Sequence, residues 1–186
     1  MRVFIGFFPS KEVKDHLYEV QKLFKGNLAK INFVSKKNLH VTYKFLGVVS
    51  EEKLDEIKNV LENLKFESLK IKLNGLGVFP YKDKLKVLWV GLEPEKKIIG
   101  LQKKVDSEFL GLGFSEDQKF SAHLTLGRIK LVKKKKEFVK RLEEIKVENL
   151  SFNMDEICLV QSILSKDGPK YKVLERYKSE VLSKGV

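Results

Sequence analysis

A single cysteine, Cys158, serves the whole 186-residue chain, beside one tryptophan, two methionines and three histidines. A lone cysteine forms no intramolecular disulfide and completes no Cys-based metal site. Its setting, "EICLVQ", reads as strand and marks an inert core residue. No apolar run reaches the roughly 18 residues of a membrane span. The opening Met1-Arg2-"VFIGFF" is too short, and lacks the flanks, for a signal peptide, so a cytoplasmic location is expected. Gly/Ser-rich and Pro-rich linkers are missing too, which favours one domain over residues 1–186. Walker A, GxGxxG and nucleophile-elbow patterns do not occur.

Acidic residues are in short supply. Against 25 of them stand 37 basic ones, a net charge of +12. Such a field draws polyanions, with nucleic acid the commonest partner; the competing reading is a lysine-rich surface suited to solubility or heat. Arginine is rare within that excess, at Arg2, Arg128, Arg141 and Arg176 only.

What is there reads as two similar halves. "RVFIGFF" (2–8) is a strand, and Pro9-Ser10 stops it and caps a helix to about Phe24. His16 lies in that helix as a surface or interface residue. "LHVTYKF" (39–45) is the next strand. Ser50 caps a second helix, with Glu51 and Glu52 in its first turn and Leu54, Ile57, Val60, Leu61 and Leu64 at helical spacing. "FESLKIKL" (66–73) alternates as a strand. The second half runs "LKVLWVGL" (85–92), a helix opened by Pro94, then the strand "FSAHLTLGRIK" (120–130). A lysine-rich helix (134–144) follows, then "VENLSFN", "EICLVQSIL", an Asp167-Gly168-Pro169 turn and "KYKVLERY". The expected class is α+β, with two lobes related by a rough two-fold around a central cleft.

Two of the three histidines occupy the same local pattern, His-x-Thr, once in each half. Side chains alternate along a strand, so His40 shares a face with Thr42, and His123 with Thr125. Each motif delivers an imidazole able to move protons near neutral pH beside a hydroxyl able to hold an anion. Two such pairs facing each other suit in-line attack at phosphorus, one histidine taking a proton while the other gives one. Arg128 is the candidate phosphate clamp, since guanidinium grips phosphate bidentately. It lies five positions after His123, on the far face of a regular strand, unless Gly127 admits a bulge. Lys44, four after His40, shares the histidine's face on a regular strand, as a phosphate contact or a solvated lysine. Lys133–Lys136 is either a solvated helix start or a contact with RNA backbone. No His, Cys or carboxylate sits near enough to either motif to complete a zinc-like set, so neither metal nor other cofactor is expected.

These residues carry a resemblance. "RVFIGF", "NLHVTYKFLG", "GVFP...KVLWVGL", "FSAHLTLGRIK" and "LVQSILSKDGPKYKVLERY" together resemble the two-histidine phosphoesterases. Within them the match is to the RNA 2′,3′-cyclic phosphodiesterases, also called 2′–5′ RNA ligases. The resemblance covers nearly the whole chain and implies a bilobal fold with the active site between its halves. It implies metal-independent hydrolysis of RNA 2′,3′-cyclic phosphate ends to 2′-phosphomonoesters. His40 then corresponds to the proton donor to the departing 3′ oxygen and His123 to the base that activates water. Thr42, Thr125 and Arg128 fall on phosphate-holding positions. The implied partner is RNA with a 2′,3′-cyclic phosphate terminus, tRNA fragments among the candidates, handled by a monomer. A 2′–5′ RNA ligase activity and a non-catalytic RNA 3′-end-binding module are the alternatives. Departures from the family pattern fall at Tyr43, Lys86 and Ala122, none of them a motif residue.

Overall fold

Alternation in "RVFIGF" produces β1 (Arg2–Phe7), whose Val3, Ile5 and Phe7 enter the main core while Phe4 joins a small cluster on the opposite face. The computed structural model describes residues 1–117, 119–166 and 168–180; Asp167 of the expected turn lies outside the described residues. The Ser10 hydroxyl accepts from the Val13 amide at 3.4 Å and starts α1 (Lys11–Lys22), which buries Val13, Leu17 and Val20. β2 (Ala29–Phe33), a 3₁₀ turn (Lys36–Asn38) and β3 (Val41–Val48) follow. Ser50 caps α2 (Glu51–Asn63) through the Lys53 amide, and β4 (Leu69–Tyr81) runs antiparallel to β5 (Lys84–Glu93). The rest is α3 (Glu95–Leu110), β6 (His123–Val132), α4 (Lys135–Glu144), β7 (Ser151–Met154), β8 (Glu156–Ser165) and β9 (Gly168–Lys178). The class is α+β, as the sequence indicated.

The strands form two antiparallel sheets, in the orders β3-β1-β8-β9 and β2-β6-β5-β4-β7. These sheets do not follow the halves of the sequence. β4 comes after α2 but joins the second sheet beside β5, and β8 comes late but joins the first beside β1. Each half lends two strands to the other half's sheet, β2 and β4 to the second and β8 and β9 to the first. β2, where the sequence reading placed no element, is a strand at the edge of the second sheet, paired with β6.

The helices are exchanged in the same sense. Gln21 of α1 is buried and its side-chain amide donates to the carbonyls of Val34 and of Leu126 in β6, each at 2.8 Å. Asp106 of α3 is buried against Lys44 of β3 in an ion pair. The Lys44 ammonium also donates to the Ser115 carbonyl at 2.7 Å, and the carboxylate accepts from Gln102 at 2.7 Å and from the Asp117 amide at 2.9 Å. Burial alone would raise the Asp106 carboxyl; Lys44, Asp117 and Gln102 together hold it below its ordinary value.

Removing one partner of such a pair strands a charge away from water. Asp106→Ala should therefore cost about 3–5 kcal/mol in urea unfolding. Lys44→Met combined with Asp106→Leu should recover most of that loss. Wild-type stability in the single variant would mean that water reaches the Lys44 ammonium.

Candidate active site

His40 lies immediately before β3 and His123 is the first residue of β6, so the motifs sit on different sheets. Both rings are held alike. His40 Nδ1 is 2.6 Å from the Asn38 carbonyl oxygen, and His123 Nδ1 is 2.8 Å from that of Ser121. A carbonyl only accepts, so Nδ1 carries the proton in both neutral rings and each Nε2 is left for chemistry.

Three residues beyond each histidine the strand carries one extra residue. Against β1, Gly6 pairs with Thr42 and Ile5 with Lys44, leaving Tyr43 extra. Against β5, Trp89 pairs with Thr125 and Leu88 with Gly127, leaving Leu126 extra. A bulge moves the alternation on by one residue. In β6, Leu124 and Leu126 are buried before it and Ile129 after it, so Arg128 is exposed on the face of His123 and Thr125. In β3, Val41 and Tyr43 are buried before it and Lys44 and Leu46 after it.

Lys44 is accordingly a correction to the sequence reading. The Tyr43 bulge turns it away from the face of His40 and Thr42 and into its ion pair with Asp106. It is neither a solvated lysine nor exposed to substrate. Phe45 takes the position that Arg128 holds in the other motif, and is 70% exposed. Gly127 is needed for packing: a Cβ there would lie 2.6 Å from Ile31 Cγ2 and 3.2 Å from the Asn32 carbonyl oxygen, because β2 runs close beside it.

Aromatic rings surround both imidazoles, and sequence reading missed them. Phe4, Phe8 and Tyr171 pack on His40 at centroid distances of 4.9, 5.7 and 5.1 Å. Phe79 meets His123 edge-on at 4.9 Å, with Trp89 at 6.4 Å. Phe4, Phe8 and Trp89 stand in "RVFIGFF" and "LKVLWVGL", which read simply as strands. Asn38, whose side-chain amide donates to the Pro169 carbonyl at 2.7 Å, was missed as well. Cys158 is buried and its thiol is pushed up to about 12, chiefly by burial and then by the Glu156 charge, which keeps it an unreactive thiol. Lys86 is half-buried on β5, and Lys133–Lys136 is exposed around the start of α4.

Charge links the two motifs. Burial lowers the His40 imidazole to about 4; the Asn38 carbonyl opposes this, while the charges of His123 and Lys14 add to it. Burial also lowers His123, against the Ser121 carbonyl. Burial raises the Tyr171 phenol, and the Arg128 charge works against that. Thus His123 acts on His40, and Arg128 on a ring packed against His40, although they come from opposite sheets. Among the described residues no group of three or more His, Cys, Asp or Glu is placed to hold a metal ion, and no helix is long and apolar enough to cross a membrane.

Comparison with known proteins agrees with this geometry. The family model described as LigT like Phosphoesterase matches twice, over residues 7–89 and 90–171, and the chain belongs to that family. The RNA 2′,3′-cyclic phosphodiesterase of Methanocaldococcus jannaschii is 35% identical over 95% of this chain and 100% of its own length. That of Methanothermobacter thermautotrophicus is 33% identical over 96% and 98%. Among solved structures, TT0787 of Thermus thermophilus superposes with a TM-score of 0.79 at 26% identity, covering 96% of this chain and 97% of that one. Escherichia coli LigT complexed with 3′-AMP shares the fold, with a TM-score of 0.76 at 23% identity over 96% and 97%.

A neutral imidazole in a dry aromatic pocket resists protonation. In an NMR titration of the free protein, His40 should titrate near 4 and His123 below the ordinary 6.5. Titration of His40 at 6.5 or above would show that its pocket is open to water.

Proposed function

We propose that this protein hydrolyses RNA 2′,3′-cyclic phosphate ends to 2′-phosphomonoesters by paired histidine acid-base catalysis without metal. The observation that carries this reading is the matched pair of imidazoles. Each is held at Nδ1 by the carbonyl two residues earlier, each has a threonine on its own face, and the His123 charge reaches His40. The relatives named as RNA 2′,3′-cyclic phosphodiesterases match nearly end to end and supply the substrate class.

The chemistry then distributes as follows. His123 Nε2 takes a proton from water, whose oxygen bonds to phosphorus. The bond from phosphorus to the 3′ oxygen breaks, and that oxygen receives a proton from His40 Nε2. The products are a 2′-phosphate and a free 3′-hydroxyl, and the two rings exchange protons with solvent before the next cycle. Thr42 and Thr125 donate hydroxyl hydrogen bonds to the non-bridging oxygens, and Arg128 clamps the same anion bidentately. His40 must be protonated to act as the acid, although its surroundings hold it near 4 in the free protein. The bound phosphate supplies the missing negative charge and raises it.

Incubation with an RNA ending in a 2′,3′-cyclic phosphate, with and without chelator, tests the whole reading. Turnover should survive the chelator, and the product should resist an enzyme specific for 3′-phosphate. His40→Ala or His123→Ala should each lower kcat by the ~10²–10⁴-fold typical of one general acid or base. Binding without turnover in the native protein would instead identify a 3′-end-binding module. Loss of activity on chelation, restored by one divalent ion, would overturn the two-histidine mechanism.

Arg128 has its own test. Arg128→Lys keeps the charge but loses the planar fork, so kcat/KM should fall markedly. Full activity in that variant would reduce Arg128 to a general positive charge.

A further inference from the structure

A groove of about 520 Å³ opens beside His40, lined by Lys11, Lys14, Ser35, Lys36 and Lys37. Two contacts relate it to the His40 ring. The Lys14 ammonium lies 5.0 Å from the centre of the Phe8 ring, and that ring packs 5.7 Å from His40. One wall is the 3₁₀ turn Lys36–Asn38, whose last residue provides the carbonyl that holds His40 Nδ1. Groove and imidazole therefore share one rigid piece of backbone.

The groove carries one sign of charge to spare. Asp15 pairs with Lys11 and with Lys36. Lys14 and Lys37 have no carboxylate within salt-bridge distance among the described residues. Lys14 is half-buried, and burial, followed by the charge of Arg176, makes its ammonium harder to keep than usual. An unpaired cation kept in such a place favours an incoming anion. The larger cavity of about 730 Å³ beside Ser121 and Trp89 is different, because Glu93 and Glu95 stand among its lysines. There Glu93 already engages Lys72 at 3.1 Å and Asn74 at 2.6 Å.

We propose that the groove of Lys14, Lys36 and Lys37 is the track for the RNA strand on the 5′ side of the terminal nucleotide, its lysines meeting the preceding backbone phosphates. This rests on the function proposed above. A 2′,3′-cyclic phosphate occupies the 3′ end of its chain, so any further nucleotides lie on the 5′ side. A basic groove beside one imidazole gives them a sequence-independent path, in which phosphate contacts set position and affinity.

The experiment compares two substrates, a nucleoside 2′,3′-cyclic phosphate and a short oligoribonucleotide with the same end. In Lys14→Gln/Lys37→Gln the ratio of kcat/KM, oligonucleotide over mononucleotide, should fall about tenfold, the scale of one to two charge-assisted contacts. The dependence of log KM for the oligonucleotide on log salt should flatten by about 1.4, or roughly 0.7 for each phosphate that no longer meets a lysine. Taking the ratio removes any effect of Lys14 on His40 itself. Lys135→Gln/Lys136→Gln on α4 removes equal charge elsewhere and should leave the ratio near the native value. An unchanged ratio in the groove variant, or an equal fall in the α4 variant, would overturn the track in favour of diffuse surface charge. If native protein opens neither substrate, the proposed chemistry fails. The track is then decided by fluorescence anisotropy of the labelled oligonucleotide, where an unaltered salt slope in the groove variant would overturn it.

Discussion

One extra residue in each histidine strand governs which groups meet in the cleft. A strand with strict two-residue alternation would send Arg128 toward the core and Lys44 toward the histidines. The bulges at Tyr43 and Leu126 reverse both outcomes. Bulges leave backbone groups in need of partners, and at Leu126 the carbonyl has two. The Leu126 carbonyl accepts from the Val34 amide at 2.9 Å as well as from Gln21. The Tyr43 bulge is followed at once by Lys44, locked to Asp106. Buried polar groups that are fully paired fix geometry more sharply than apolar packing alone.

These locks are exchanged between the halves. α1 of the first half fastens β6, which carries His123, while α3 of the second half fastens β3, which follows His40. The late strands β4 and β8 cross in the same way. Each histidine strand is thus fastened by a buried hydrogen bond or ion pair from the opposite half. For chemistry that depends on two groups placed on either side of one atom, this is a structural reason to interleave the lobes rather than hinge them.

What the sequence could show was local. The His-x-Thr pairs were legible because each spans only two residues, so both members fall on one face before any bulge intervenes. For Arg128, Gly127 hinted at an irregularity, whereas nothing in "VTYKF" marks Tyr43 as extra and Lys44 was put on the wrong face. β2 was missed because "AKINF" is short, polar at its exposed positions and followed directly by lysines; it becomes a strand through pairing with β6. The aromatic collars were invisible for a different reason. Phe4 and Phe8 look like core in a strand, and only the second face of the first sheet, with Tyr171 brought in by β9, reveals which ring they cover.

Dry aromatic walls and neighbouring positive charge act in the same direction on His40, and on the proposed reading this has a use. Burial holds both rings neutral in the free protein, and Lys14 and the second histidine push His40 further the same way. A neutral ring can serve as base at once but cannot serve as acid. On the proposed reading, the charge needed to protonate His40 arrives with the substrate phosphate, drawn in by the +12 field. In that proposal the acid is armed by the molecule on which it acts, while the base is ready beforehand. The environments around the two equivalent motifs are unequal, with Phe4, Phe8, Tyr171 and Lys14 at one and Phe79 and Trp89 at the other, and that inequality is what the proposed division into acid and base rests on.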